Sequence, residues 1–319
     1  MNQKSFKSRF LTLLVGCLLL GGAASSPALI INPIWDSSLT NNANAATIMT
    51  TINAAIAIYQ ANFNDAVTVS IQFNGTNTGL GGSSTFFASV GYAAYRTALA
   101  ADASTAADAA AIASLPVQAN NPVNGNASVR LSTANFRAIG FTNVFPGGGQ
   151  PDSTISLNFG LMNLDRSSTN AAKYDLMAVV EHEIDEALGM GSALNNLTNN
   201  APNPAGPALN EDMFRYGTNN VRSLSTALAT QAFFSYDGGT NLLAQFNQLA
   251  GGDFSDFISN TNLVQVQDAF GTPGTQPSLG VELTILDVLG WNAAPVPEPG
   301  TMALLGLGAL ALLRFRKKK

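Results

Sequence analysis

Apolar residues Ile48, Ile52, Ile56, Tyr59 and Phe63 recur at intervals of four and three, which lines them along one face of an α-helix. From residue 66 to 73 the interval shortens to two. Val67, Val69, Ile71 and Phe73 alternate with other residues, so the helix feeds a strand. Residues 74–84, rich in Gly, Asn, Ser and Thr, are expected to form a loop. Gly79, Gly81 and Gly82 within it are assigned to turn chemistry, because no Lys and helix follow as a phosphate loop requires. Residues 88–115 are Ala-rich and read as mostly helical up to Pro116. A second strand is expected at 153–159, where Ile155, Leu157 and Phe159 alternate with polar residues. A strong helix follows at 174–188, halted by Gly189 and Gly191. Residues 192–210 form a Pro, Asn and Ala loop. Short mixed segments at 233–236, 242–249 and 281–289 complete the chain as far as Trp291. There is no internal repeat. This order of elements predicts an α+β fold, with a twisted mixed sheet over the 174–188 helix and a C-terminal subdomain beyond it.

Both ends carry different information. Lys4, Lys7 and Arg9 precede an apolar run at 10–20 and small residues at 21–26, the layout of a secretory signal removed after Sec export. Leu14, Val15, Gly16 and Cys17 match a lipobox, but cutting there leaves only residues 10–16 as the apolar stretch, at the short limit for export. At the other end stand Val296, Pro297, Glu298, Pro299 and Gly300, an apolar stretch at 301–313, then Arg314, Arg316, Lys317, Lys318 and Lys319. Such a stretch spans about 20 Å as a helix, short of the ~30 Å hydrocarbon core, and suits transient membrane anchoring. Pro-Glu-Pro, a short apolar helix and a basic cluster resemble the PEP-CTERM sorting signal of Gram-negative bacteria. That resemblance implies an exosortase as partner and a destination at the cell surface, in the extracellular matrix or in the medium. The working domain is then 27–294, between a 1–26 signal and a 295–319 sorting segment.

Setting the ends aside changes the charge. Of 15 basic residues three precede residue 10 and five follow residue 313, whereas only Glu298 among the 20 acids lies in the tail. The domain keeps 19 acids against seven bases, a net charge of −12. Nucleic acid is excluded as a partner, since no basic face is available; cation binding is compatible. The one cysteine leaves with the signal, so no internal disulfide forms.

The chemistry concentrates in Glu181-His182-Glu183-Ile184-Asp185-Glu186-Ala187-Leu188-Gly189, which holds the only histidine of the protein. Residues four apart share a helix face, so His182 and Glu186 can hold one metal ion. Glu183, about 100° round the helix from His182, can lean over the same ion as the base that activates water. Four acids in six residues repel one another, and a divalent cation relieves that cost.

The helix resembles that of the zincin metallopeptidases, in particular the HExxHxxG helix of the metzincin branch. His182, Glu183 and Gly189 match the first ligand, the catalytic glutamate and the turn glycine. Glu186 stands where the second histidine belongs, and Ser192 at the position of the third. The chain is also similar to exported bacterial metalloproteases with a His-Glu-Ile-Asp-Glu helix, a downstream Asp-(Leu/Met)-Phe-Arg-Tyr segment and a closing Leu-Asp-Val-x-Gly-Trp. Here these are residues 182–186, 212–216 and 286–291. The resemblance implies a zincin-like metalloprotease domain that hydrolyses peptide bonds, with Glu183 as general base. It favours Asp212 as third ligand, with Glu211, Asp185 and Ser192 as competitors. Tyr216 is a candidate to support a developing oxyanion, against the plainer reading of a packed loop tyrosine, and Met213 reads as core. Zinc is the expected cofactor. Oxygen-rich ligation leaves manganese and calcium open. The rival function is a non-catalytic matrix or adhesion protein with a degenerate or calcium-stabilised zincin fold.

Overall fold

The computed structural model describes residues 28–196 and 206–295. The signal segment with Cys17 and the sorting segment from residue 296 lie outside the described residues. Among those described, no helix is long and apolar enough to cross a membrane.

The chain is a mixed α/β protein with several small sheets. Strand β1 (Ile30–Trp35) leads through a single helical turn into α1 (Ala45–Asn62), whose Ile48, Ile52, Ile56 and Tyr59 are buried as their spacing predicts. Strand β2 (Thr68–Gly75) alternates Val69, Ile71 and Phe73 inward. The main sheet adds β3 (Gly81–Thr85) and β6 (Ser153–Leu157) in the order β1-β2-β6-β3, the first three parallel and β3 antiparallel at the end.

The glycine-rich segment is therefore not all turn. Gly79 takes a positive φ of 65°, but Gly81 and Gly82 enter a strand that closes one end of the sheet. Their lack of side chains hid the alternation that marks strands, and the pairing partner Ser153–Leu157 supplied the order instead. The Ala-rich stretch is also divided. It begins as β4 (Phe87–Gly91) and continues as two helices, α2 (Tyr92–Asp102) and α3 (Ala106–Ser114), the second opened by a capping box between Thr105 and Asp108. Strand β4 pairs with β5 (Ser128–Ser132), which runs into the short helix α4 (Thr133–Ala138).

Two short strands, β7 (Met162–Asn163) and β8 (Tyr174–Asp175), precede α5 (Leu176–Leu188), so Tyr174 sits in a strand and the helix starts two residues later. Helix α5 packs on β3, β6 and α1. Beyond it, β9 (Ala208–Leu209) joins β5, and β10 (Arg215–Gly217), β11 (Ala232–Phe234) and β12 (Ala244–Gln245) form a three-stranded antiparallel sheet. Helix α6 (Val281–Val288) ends the body at Trp291, whose indole N–H donates to Leu188 O at 2.9 Å.

The last described residues are tied down by buried and half-buried acids. Asn292 donates from Nδ2 to Asp65 (3.1 Å) and Asp102 (3.0 Å), and Thr105 Oγ1 to Asp287 (2.8 Å). Burial lifts these three carboxyls from 3.8 to about 6, against the lowering effect of those hydrogen bonds. The folded state thus holds more protons than the unfolded one between those values, and stability falls as pH rises through the window. In the presence of chelator, thermal unfolding is expected at a higher temperature at pH 5 than at pH 7.5. A midpoint that rises over this interval would contradict the assignment.

Candidate metal centre

Helix α5 begins where Asp175 caps it, accepting from Ala178 N at 3.3 Å while Arg166 holds the same carboxylate at 2.5 Å. Leu176, Val180, Ile184 and Leu188 are buried, and Gly189, at φ +134°, lets the chain turn away. The helix separates its acids. Glu181 and Asp185 lie on the inner side, where Tyr59 Oη donates to Glu181 O (2.7 Å) and Asp185 Oδ1 (2.8 Å). Burial pushes Glu181 up to about 7 and raises Asp185 well above the usual carboxylate range. Facing two of the four clustered acids inward, where burial favours their neutral form, reduces the repulsion among them.

His182, Glu183 and Glu186 face a cleft of about 290 Å³. His182 Nε2 lies 3.8 Å from Glu186 Oε1 and 3.8 Å from Asp256 Oδ1, and the three ligand atoms all lie within 4.8 Å of one another. Tetrahedral ligation at about 2.1 Å spaces ligands about 3.4 Å apart, so the set fits one divalent cation after small side-chain adjustments. Each member is oriented. His182 Nδ1 donates to Val266 O at 3.0 Å, which leaves the Nε2 lone pair directed at the other ligands. Ser83 Oγ donates to Glu186 Oε2 at 2.6 Å, leaving Oε1 toward His182. Gln267 Nε2 donates to Asp256 Oδ1 at 3.0 Å and lies 3.4 Å from His182 Nε2.

Burial acts to lower the imidazole pKa, but Asp256, Glu183 and Glu186 outweigh it and push His182 up to about 10. Asp256 is raised by burial to about 7, and burial drives Glu183 well above its ordinary value. A proton on His182 thus does the work of a cation among these carboxylates, and a metal ion must displace it. Glu183 Oε2 is buried with no hydrogen-bond partner among the described residues.

Gly81 of β3 makes room for this carboxylate. A β-carbon there would lie 2.5 Å from Glu183 Oε1 and 2.7 Å from Val179 Cγ1, whereas one at Gly82 meets nothing within 4 Å. Gly81→Ala is expected to lower unfolding free energy by about 1–3 kcal/mol through displacement of Glu183 and Val179, with Gly82→Ala close to wild type in denaturant unfolding. Equal loss in both variants would sever Gly81 from the site.

The structure does not bring Asp212 to this set. Asp212 accepts from Ser192 Oγ (2.6 Å), Ala193 N (2.9 Å) and Leu209 N (2.9 Å), bracing the chain that leaves α5. Of the other candidates, Ser192 is taken up by that contact and Glu211 accepts from Gly191 N at 2.5 Å. Asp185 faces Tyr59. Tyr216, in β10, carries the Arg222 guanidinium 4.8 Å from its ring centroid and does not line the cleft. Asp256 was not among the sequence candidates. It lies 70 residues past Glu186 in a loop without periodicity, placed by the buried Phe257, which bridges to both Phe246 and Asp268. The one available signal was the pair Asp253 and Asp256 in a segment otherwise free of charge.

Comparison with known proteins adds information at the C-terminus alone. Residues 295–318 match the PEP-CTERM protein-sorting motif. The match supports export, sorting to the cell surface of a Gram-negative bacterium and recognition by an exosortase. No curated protein and no solved structure matches the chain.

Proposed function

We propose that the exported domain is a metal-dependent peptidase on a zincin-like plan, with His182, Glu186 and Asp256 as ligands and Glu183 as general base. The observation that carries this reading is the convergence of three candidate ligand atoms within 4.8 Å, beside the buried Glu183 carboxylate in the wall of a cleft. One imidazole and two carboxylates suit zinc, and manganese by the hardness of the oxygens. A divalent cation here supplies Lewis acidity, polarising a carbonyl and making water more acidic.

The chain's own groups do the rest. Glu183 takes the proton of the attacking water and passes it to the departing amine, provided that a bound cation offsets the burial that favours its neutral form. Strand β3 ends its sheet beside the cleft, so its outer edge can pair with an extended peptide and align the scissile bond. Asp212 and Tyr216 stay outside the reading, because neither lines the cleft.

The test is peptide cleavage by the exported protein with its metal removed and restored. Cleavage that stops with chelator and returns with zinc supports the proposal. Tight stoichiometric calcium with no turnover across a peptide library favours the non-catalytic matrix or adhesion reading.

A further inference from the structure

A second cavity, of about 320 Å³, adjoins the cleft; Ser83, Glu186 and Asp253 line both. Its distinguishing side chain is Arg130, the one Lys or Arg that lines either cavity. Arg130 stands on β5 between buried Val129 and Leu131, so strand alternation turns it away from the core. Its guanidinium carbon lies 5.3 Å from the ring centroid of Phe87, which lines the same cavity.

Every other arginine among the described residues has a protein acceptor. Arg96 donates to Leu115 O, Arg137 to Asp152, Arg166 to Asp175, Arg215 to Phe254 O and Arg222 to Met213 O. The Arg130 side chain has no hydrogen bond and no ion pair among the described residues. A half-buried planar cation with five donors, supported by an aromatic ring and without an acceptor among the described residues, is set up to receive a planar anion. The two acids that share the cavity, Glu186 and Asp253, disfavour a doubly charged group such as phosphate, so a single carboxylate fits best.

Resting on the peptidase reading of the adjoining cleft, we infer that Arg130 selects peptides with a carboxylate close to the scissile bond. That carboxylate is an Asp or Glu side chain, or the terminal carboxylate of the peptide. Glu186 connects the two functions, because it helps hold the cation on one side and walls the anion cavity on the other.

The test measures binding, by fluorescence anisotropy, of labelled peptides to the zinc-loaded exported protein carrying Glu183→Gln. One series replaces each position in turn by Glu or Gln, and a second compares free with amidated C-termini, which separates the two sources. We expect the carboxylate member of one pair to bind about tenfold tighter or more. The difference should vanish in Arg130→Gln and partly persist in Arg130→Lys. Equal affinity within every pair, a preference that survives Arg130→Gln, or failure to bind any peptide overturns the inference. Should Arg130→Gln fail to fold, the pairwise comparison with Arg130 in place decides alone. A protein that binds carboxylate peptides selectively but, with Glu183 intact, cuts none of them sinks the peptidase reading and leaves the selectivity standing.

Discussion

Glu183→Gln is expected to keep the bound metal and to lose peptide hydrolysis by about a hundred- to ten-thousand-fold. The range is what a positioned general base contributes. Glu183 is not one of the three converging ligands, so metal stoichiometry should be unchanged. The amide has nearly the same shape and fills the same space beside Gly81, and it removes a carboxyl that burial already makes costly to ionise. Folding stability should therefore hold or rise slightly. Kinetics and metal analysis on one preparation check both halves. Hydrolysis at the wild-type rate would remove Glu183 from the mechanism, and loss of metal would make it a ligand instead.

The second large effect separates Asp256 from Asp212. Asp256→Ala takes away one of the three proposed ligands and is expected to weaken metal binding more than about 100-fold, beyond the usual cost of losing an outer hydrogen-bond partner. Metal-free stability should change little or improve, since burial raises that carboxyl to about 7. Asp212→Ala should do the reverse. It strands the Ser192 hydroxyl and the amides of Ala193 and Leu209 in a buried position, at a cost of about 2–4 kcal/mol in unfolding free energy. Its metal affinity, measured below the unfolding transition, should stay near wild type. Titration with a competing chelator and denaturant unfolding on both variants give the comparison. An Asp212 variant that loses metal while keeping stability would restore it as the third ligand.

The parts of the site legible in the sequence were those close together along it. The intervals of α1, β2 and α5 follow directly from apolar spacing, and the placement of His182, Glu183 and Glu186 on one helix face follows from 3.6 residues per turn. What escaped was set by pairing across long separations. Gly81 and Gly82 carry no side chain to show a period, and they form a strand because Ser156 and Leu157 lie opposite them. Strand β5 and its Arg130 acquire their role from β4 on one side and β9 on the other. Asp256 reaches the helix because Phe257 is fixed in the core, a tertiary fact with no local signature. The resemblance-led choice of Asp212 picked out a buried acid. It closes the turn after α5 instead of reaching the cleft.

The proposed chemistry requires a cation shared by His182, Glu186 and Asp256. Crystals of the exported protein grown with zinc, with diffraction recorded on both sides of the zinc absorption edge, test this most directly. The prediction is a single strong anomalous peak within about 2.0–2.2 Å of His182 Nε2 and one oxygen each of Glu186 and Asp256. An anomalous map with no peak between these three side chains, or a peak bound at Asp212 instead, would contradict it.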